Sequence, residues 1–307
     1  MLTSNFNLSE SYFTWKHNLK NSYLIEEKTF CIFFEKKCIA SLQIIISEIS
    51  INNKVYKFGL ISDAVTHESY RKLGLFEKLL NYSYDYFKAK DFIFFIASGN
   101  KKSRKVMLKL NYINFFGGII ARKRIRYSRI LANPFILVNF YLRSTKLNKK
   151  IIEINKEQYI EFINNNQSLS ELHFLKSKPY MDWRLKKPIG VYKSLAINEN
   201  GILKAVFIVQ INRDLIYLKH FFIINDEVKY LDEILKYVDY LAIKDKRVKK
   251  IKVLHNNFKG YKEIFNKNNY NLYKDKNFIL LKYLKSDFHI NQSQINTLNY
   301  MKIDKNE

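Results

Sequence analysis

Both tryptophans of this chain sit in one short pattern. Tyr12-Phe13-Thr14-Trp15-Lys16 is echoed by Tyr180-Met181-Asp182-Trp183-Arg184, and a further tyrosine follows each, Tyr23 and Tyr192. A second echo comes later in the same order, where Asn100 to Asn111-Tyr112 resembles Asn257 to Asn269-Tyr270. Two echoes in one order point to a duplicated domain, not to chance. Each copy must then bury a core of its own, and a chain of 307 residues is long enough for two domains of ordinary size.

The hydrophobic pattern of the two halves agrees. In the first, Thr29 to Phe34 and Ile39 to Ile46 are rich in β-branched and aromatic residues and read as strands joined by a turn at Lys36-Lys37. Asn52-Asn53 is a hairpin turn, because asparagine tolerates positive φ, and it leads into a strand from Val55 to Thr66. Phe76, Leu79, Leu80 and Phe87 recur at helical spacing, so a helix opens at about Gly74. A strand from Phe92 to Ala97, a helix from Lys102 to Leu110 and a strand from Ile113 to Arg122 complete the half. The second half repeats the series: strands at Tyr192 to Ala196, Ile202 to Gln210 and Leu215 to Ile223, a helix from Val228 to Lys244, a strand from Ile251 to Leu254, a short helix from Tyr261 to Asn266, and a strand from Phe278 to Leu284.

A net charge of +25 raises the question of nucleic acid. Only ten of the 53 basic residues are arginine, however, and bidentate phosphate and base recognition favours arginine. The charge reads as solvated lysine surface that favours anionic ligands, and nucleic acid is not an expected partner. Cys31 and Cys38 read as reduced thiols, and with six scattered histidines they form no metal-ligand spacing, so no metal is expected. The N-terminus lacks the basic-then-apolar layout of a signal peptide, which points to a cytoplasmic protein. The apolar stretch Ile130 to Leu142 is broken by Asn133, Pro134 and Asn139 and is too short to span a bilayer. A linker helix is the favoured reading of it, with peripheral membrane contact as the alternative.

The chemistry concentrates in one turn. Arg71-Lys72-Leu73-Gly74-Leu75-Phe76 follows a strand and opens directly into a helix. Such a turn leaves the first backbone N–H groups of the helix unpaired, beside the positive end of its dipole. A pyrophosphate can settle there, because Gly74 lets the backbone approach it and Arg71 and Lys72 add charge. The longer run from Asp63 through Ala64-Val65-Thr66-His67 to Phe76 resembles the central motif of Gcn5-related N-acetyltransferases, and Asn100, Ser103 and Leu110-Asn111-Tyr112 resemble that family's second segment on the CoA side. Phe76 stands where the wider family has a small residue, and Asn111 replaces a glycine.

The resemblance implies an α+β fold of two tandem acetyltransferase-like domains, each a mixed, mostly antiparallel sheet flanked by helices. Residues 1–130 would form the domain with the acyl-CoA loop, 131–170 a helical linker, 171–285 a degenerate second domain and 286–307 a tail. It also implies acetyl-CoA or another acyl-CoA as co-substrate. Ala64, Val65 and Thr66 would offer backbone to its pantetheine arm, Arg71, Lys72, Leu73, Gly74, Leu75 and Phe76 would hold the pyrophosphate, and Asn100 and Ser103 would lie nearby. The family's usual tyrosine acid falls at Met107, which cannot donate a proton, so Asp63 and His67 are the nearest titratable candidates for catalysis. In the second half only Asn225-Asp226-Glu227 precedes the helix, with no glycine and two carboxylates that repel phosphate.

That half is therefore expected to have lost CoA binding and to shape an acceptor pocket. Trp15, Tyr180, Trp183 and Arg184 are candidate acceptor contacts, against the alternative that each tryptophan anchors a helix to its sheet. The expected activity is N-acyl transfer to a small-molecule amine such as an amino sugar. The alternatives are a Fem-type aminoacyl ligase that draws on charged tRNA and a non-catalytic acyl-CoA-binding module.

Overall fold

The computed structural model describes residues 10–16, 26–52, 54–98, 101–125, 150–166, 173–174, 178–188, 190–255, 261–285, 288 and 290. Asn53, Asn100, Asn257 and the stretch Ile130 to Leu142 lie outside them, as do most of the residues after Ser286. The described residues fall into two compact units. The first draws on Met1–Gly117, Leu169–Leu175 and Lys276–Leu298, the second on Gly118–Ser168, Lys176–Asp275 and Asn299–Glu307.

In chain order the first elements are α1 (Glu10–Lys16), β1 (Glu27–Phe34), β2 (Lys37–Ile51), β3 (Lys54–Thr66), α2 (Leu75–Lys88), β4 (Phe94–Ser98), α3 (Lys101–Lys109) and β5 (Ile113–Arg124). There follow β6 (Ile151–Glu153), α4 (Lys156–Asn166), β7 (His173–Phe174), α5 (Lys178–Leu185), β8 (Val191–Glu199), β9 (Ile202–Asn212) and β10 (Leu215–Ile223). The last are α6 (Val228–Lys244), β11 (Lys250–His255), α7 (Lys262–Lys267) and β12 (Asn271–Tyr283). The β1–β2 turn falls on Glu35-Lys36, with φ of 46° and 63°, one residue earlier than the lysine pair suggested.

The sheet of the first unit runs β1-β2-β3-β4 and ends on the second half of β12. Its neighbours are antiparallel except β3 and β4, which are parallel. Leu75, Leu79, Leu80 and Phe87 of α2 are buried against one face, on Ala40, Leu42 and Ile44 of β2 and Phe95 and Ala97 of β4. Gly59 is required here, since a Cβ would stand 2.3 Å from the Phe95 ring. In the second unit the order is β5-β11-β10-β9-β8-β6, with β10 and β11 the parallel pair. Strand alternation divides β9 cleanly. Ala205, Phe207 and Val209 meet Leu231, Ile234 and Leu235 of α6, while Val206 and Ile208 meet Tyr159, Phe162 and Ile163 of α4 and Met181 of α5.

The closing strand of each repeat is exchanged. Residues 119–124 of β5 pair with β11 in the second unit, and residues 279–283 of β12 pair with β4 in the first. Each exchanged strand carries a lysine into the unit that it joins. Lys123 of β5 forms an ion pair with Asp239 of α6, which also accepts a hydrogen bond from the Tyr270 hydroxyl at 3.2 Å. Lys282 of β12 sits 5.7 Å from the ring centroid of Tyr84 in α2 and donates to the Leu110 carbonyl at 2.7 Å. The Tyr84 ring is 6.0 Å from that of Tyr112.

Candidate functional site

The strand, turn and helix that the sequence singled out are continuous in the structure. β3 pairs with β4 only over Gly59–Ile61, against Phe95–Ala97. Beyond that point β3 keeps its ladder with β2 as far as Thr66, while Ser98 at the end of β4 pairs with Ile279 of β12. The two parallel strands separate, and among the described residues Ala64, Val65 and Thr66 have no strand partner on the β4 side. Val65 and Thr66 are half-buried and Ala64 is exposed.

A single 3-10 turn, Glu68–Tyr70, then redirects the chain. His67 builds that turn: its N–H donates to the Ile39 carbonyl at 2.8 Å and its Nδ1 accepts from the Ser69 N–H at 3.3 Å. Arg71 reaches back, its Nε donating to the Thr66 carbonyl at 3.4 Å. Lys72 and Gly74 both take positive φ, 69° and 72°. Gly74 is the N-cap of α2, has no side-chain capping bond, and would have open space around a Cβ. The first intrahelical bond runs from Lys78 N–H to the Gly74 carbonyl at 3.0 Å, so the N–H groups of Leu75, Phe76 and Glu77 precede any intrahelical acceptor. Arg71, Lys72 and Leu73 are exposed around this end, and Phe76 packs into the core beneath it. These residues suit an anion held by backbone N–H groups with two cations beside it, and the open β3 edge suits an extended amide-bearing chain.

The remaining candidates divide. Ser103 is half-buried at the start of α3, and Met107 is 2% exposed in the α2 core. Trp15 and Trp183 are 5% and 2% exposed, so neither indole presents a face to an acceptor. Their burial fits the alternative reading, in which each tryptophan packs its helix, α1 or α5, onto the core, Trp15 with its ring 5.4 Å from that of Tyr12. The side chains of Tyr180 and Arg184 lie outside the described residues, as does Asn100.

Asp63 has a setting that its place in the sequence does not reveal. Leu42 pairs with Ala64 and Ile44 with Ile61, so Ser62 and Asp63 share the single position opposite Gln43. This β-bulge re-aims the strand where it leaves β4. Leu42 and Ile44 face α2, so Gln43 lies on the other face of the sheet, and by the same alternation so does Glu27 of β1, since Phe30 and Ile32 face α2. Gln43 is buried, and its Nε2 donates to Glu27 Oε2 at 2.7 Å. Burial first, and then the charge of Asp63, push the Glu27 carboxyl up to about 7, against the opposing pull of the Gln43 hydrogen bond. Glu27 escaped the reading of the sequence because it stands at the start of β1, remote from the motif. Only the register across β2 brings it into a row with Gln43 and Asp63.

Among the described residues no group of three or more His, Cys, Asp or Glu side chains could hold a metal ion, and no helix is long and apolar enough to cross a membrane. The family model for the acetyltransferase (GNAT) domain matches residues 3–98. No curated protein matches the sequence significantly. Among solved structures, a conserved protein of unknown function from Enterococcus faecalis, described as a probable N-acyltransferase, is 8% identical with a TM-score of 0.67 over 91% of this chain and 67% of that one. N-myristoyltransferase of Saccharomyces cerevisiae with bound myristoyl-CoA is 12% identical with a TM-score of 0.52 over 81% and 67%. A tandem GNAT protein from the clavulanic acid biosynthesis pathway is 7% identical with a TM-score of 0.56 over 86% and 85%. The chain thus spans about two thirds of the length of the first two. Residues 3–98 thus match the acetyltransferase (GNAT) domain, and the chain shares its fold with a tandem GNAT protein, with the glycine turn in one repeat and not in the other.

Proposed function

We propose that this protein transfers an acyl group, acetyl in the simplest case, from acyl-CoA to an amine of a small molecule. The observation that carries this reading is the unbroken path from the open edge of β3, at Ala64 to Thr66, to the uncapped N-terminus of α2 at Gly74. An amide-bearing arm completes the missing strand on that edge. A pyrophosphate meets the N–H groups of Leu75 and Phe76 with Arg71 and Lys72 beside it, and Ser103 borders the same end of β4. The N-myristoyltransferase that shares the fold holds an acyl-CoA, which supports the same class of donor here.

His67 spends Nδ1 on its own turn, whereas Asp63 lies on the bulge where the strands part. We therefore place the acceptor at the bulge and not at the turn. Burial of both indoles removes the aromatic platform that pointed to an amino sugar, so the acceptor class is a primary amine without further restriction.

Calorimetry with acetyl-CoA tests the reading, followed by measurement of thiol release with a panel of primary amines. Micromolar binding by the wild type and its loss in Gly74→Glu are expected. A wild type that binds no acyl-CoA would sink the reading, and tRNA binding with a steep salt dependence would replace it with aminoacyl transfer.

A further inference from the structure

We propose that Glu27 takes the proton from the acceptor amine, held in place by Gln43 and set against Asp63 across the bulge of β3. The inference rests on acyl transfer at this site and adds the residue that prepares the nucleophile. An amine is protonated at neutral pH and cannot attack a thioester until its proton leaves. The reaction therefore needs a base on the side of the sheet that the acceptor approaches, close to the point where β3 and β4 part.

Three observations converge on Glu27. Its strand lies two places from β3, and adjacent strands are about 4.8 Å apart, so a carboxylate leaning over β2 reaches the bulge directly or through one water. The lean is present: Gln43, buried between the two strands, donates to Glu27 Oε2 at 2.7 Å. Across from Glu27 stands Ile45 on β2, Thr29 is its neighbour along β1, and Asp63 is the titratable group facing it from β3. Half-burial and the like charge of Asp63 raise the carboxyl to about 7, where a base is both ionised in working amount and strong enough to accept a proton.

The step balances as follows. The ammonium N–H bond breaks, its proton passes to the Glu27 carboxylate, and its electron pair stays on nitrogen. That pair forms the new C–N bond at the acyl carbon, the C–S bond breaks with its electrons on sulfur, and the second proton of the now positively charged nitrogen passes through solvent to the thiolate, which leaves as CoA thiol. Glu27 returns its proton to solvent. Asp63 acts through Glu27 and is a positioning residue.

The test uses the full chain with acetyl-CoA and the same amine panel. Glu27→Gln is expected to bind acetyl-CoA within twofold of wild type, to lower kcat at least 100-fold at pH 7, and to lose the acidic limb of the kcat/KM profile. Asp63→Asn is expected to move that limb to lower pH, with a matching fall in the Glu27 titration followed by carbon NMR of labelled glutamate carboxyls. Retention of the wild-type rate and profile by Glu27→Gln would overturn the inference, as would a Glu27 carboxyl titrating near 4.5 in the wild type. Failure of acetyl-CoA binding in the wild type is a separate outcome that removes the donor reading itself.

Discussion

In the first unit β3 passes through a bulge at Ser62-Asp63, parts from β4 and turns at Gly74 into α2. In the second, β10 passes through a bulge at Lys219-His220, pairs with β11 only as far as Leu218, and turns at Asn225-Asp226 into α6. The backbone course is the same, and the chemistry at each point is opposite. Where the first helix opens on a bare glycine, the second opens on Glu227, which pairs with Lys229 at 2.9 Å. Asp226 beside it accepts a hydrogen bond from the Tyr261 hydroxyl at 2.8 Å.

Tyr261 stands as far before Tyr270 as Ser103 stands before Tyr112, so an aromatic ring occupies in one repeat the place of a small hydroxyl in the other. It packs edge-on against Phe221, 6.0 Å between centroids. Burial, and then its bond to Asp226, raise its hydroxyl above the ordinary tyrosine range. At the bulge, Asp63 is replaced by His220, buried and hydrogen-bonded through Nδ1 to the Tyr159 hydroxyl from α4. The second repeat has filled its own opening with side chains and carboxylates. A fold that parts two parallel strands creates an opening whichever residues line it, and the lining decides whether a ligand or the protein fills it.

Substitutions that exchange these features are the sharpest tests. Gly74→Glu places a carboxylate at the helix N-terminus and a side chain at φ of 72°, and should weaken acetyl-CoA binding at least 1000-fold by calorimetry. The same titration on the wild type should give one acyl-CoA per chain, and two would break the contrast between the repeats. Lys123→Met leaves Asp239 buried without its cation and should cost about 3 kcal/mol in urea unfolding. Lys282→Met, at the corresponding place in the first unit, strands no carboxylate and should cost less than about 1 kcal/mol. Tyr261→Phe removes the bond to Asp226 and should destabilise by about 1 kcal/mol without creating a second acyl-CoA site.

An effect that appears only as pH rises concerns Glu27. Its carboxyl is raised from 4.5 to about 7 by folding, so the stability it contributes is present in full below 4.5 and is lost as pH rises through 7. Glu27→Gln, which imitates the protonated form, should match the wild type at pH 4 and exceed it by about 1 kcal/mol at pH 8, after discounting for its half-exposed position. Equal stability at both values would show that the site does not perturb this carboxyl.

Local pattern determined a great deal. The α6 helix spans Val228–Lys244 and β10 spans Leu215–Ile223, as their periodicities require, because the spacing of apolar residues is itself the signal for which element can bury them. Gly74 was legible for the same kind of reason: a glycine between a strand and a helix declares a positive φ and an approachable backbone. The duplication was legible because the same residues recur in the same order.

Three things belonged to the tertiary structure. The exchange of β5 and β12 depends on which edges meet, and pairing partners leave no trace in the periodicity of a single strand. The burial of Trp15 and Trp183 depends on what packs against α1 and α5, which an aromatic pattern alone leaves open. The row of Glu27, Gln43 and Asp63 depends on a one-residue bulge in β3, since a register shift of one residue changes which side chains share a face. Sequence thus determined that a glycine turn opens the helix that follows β3, and in which half. The register between strands, a long-range property, decided which carboxylates stand beside it.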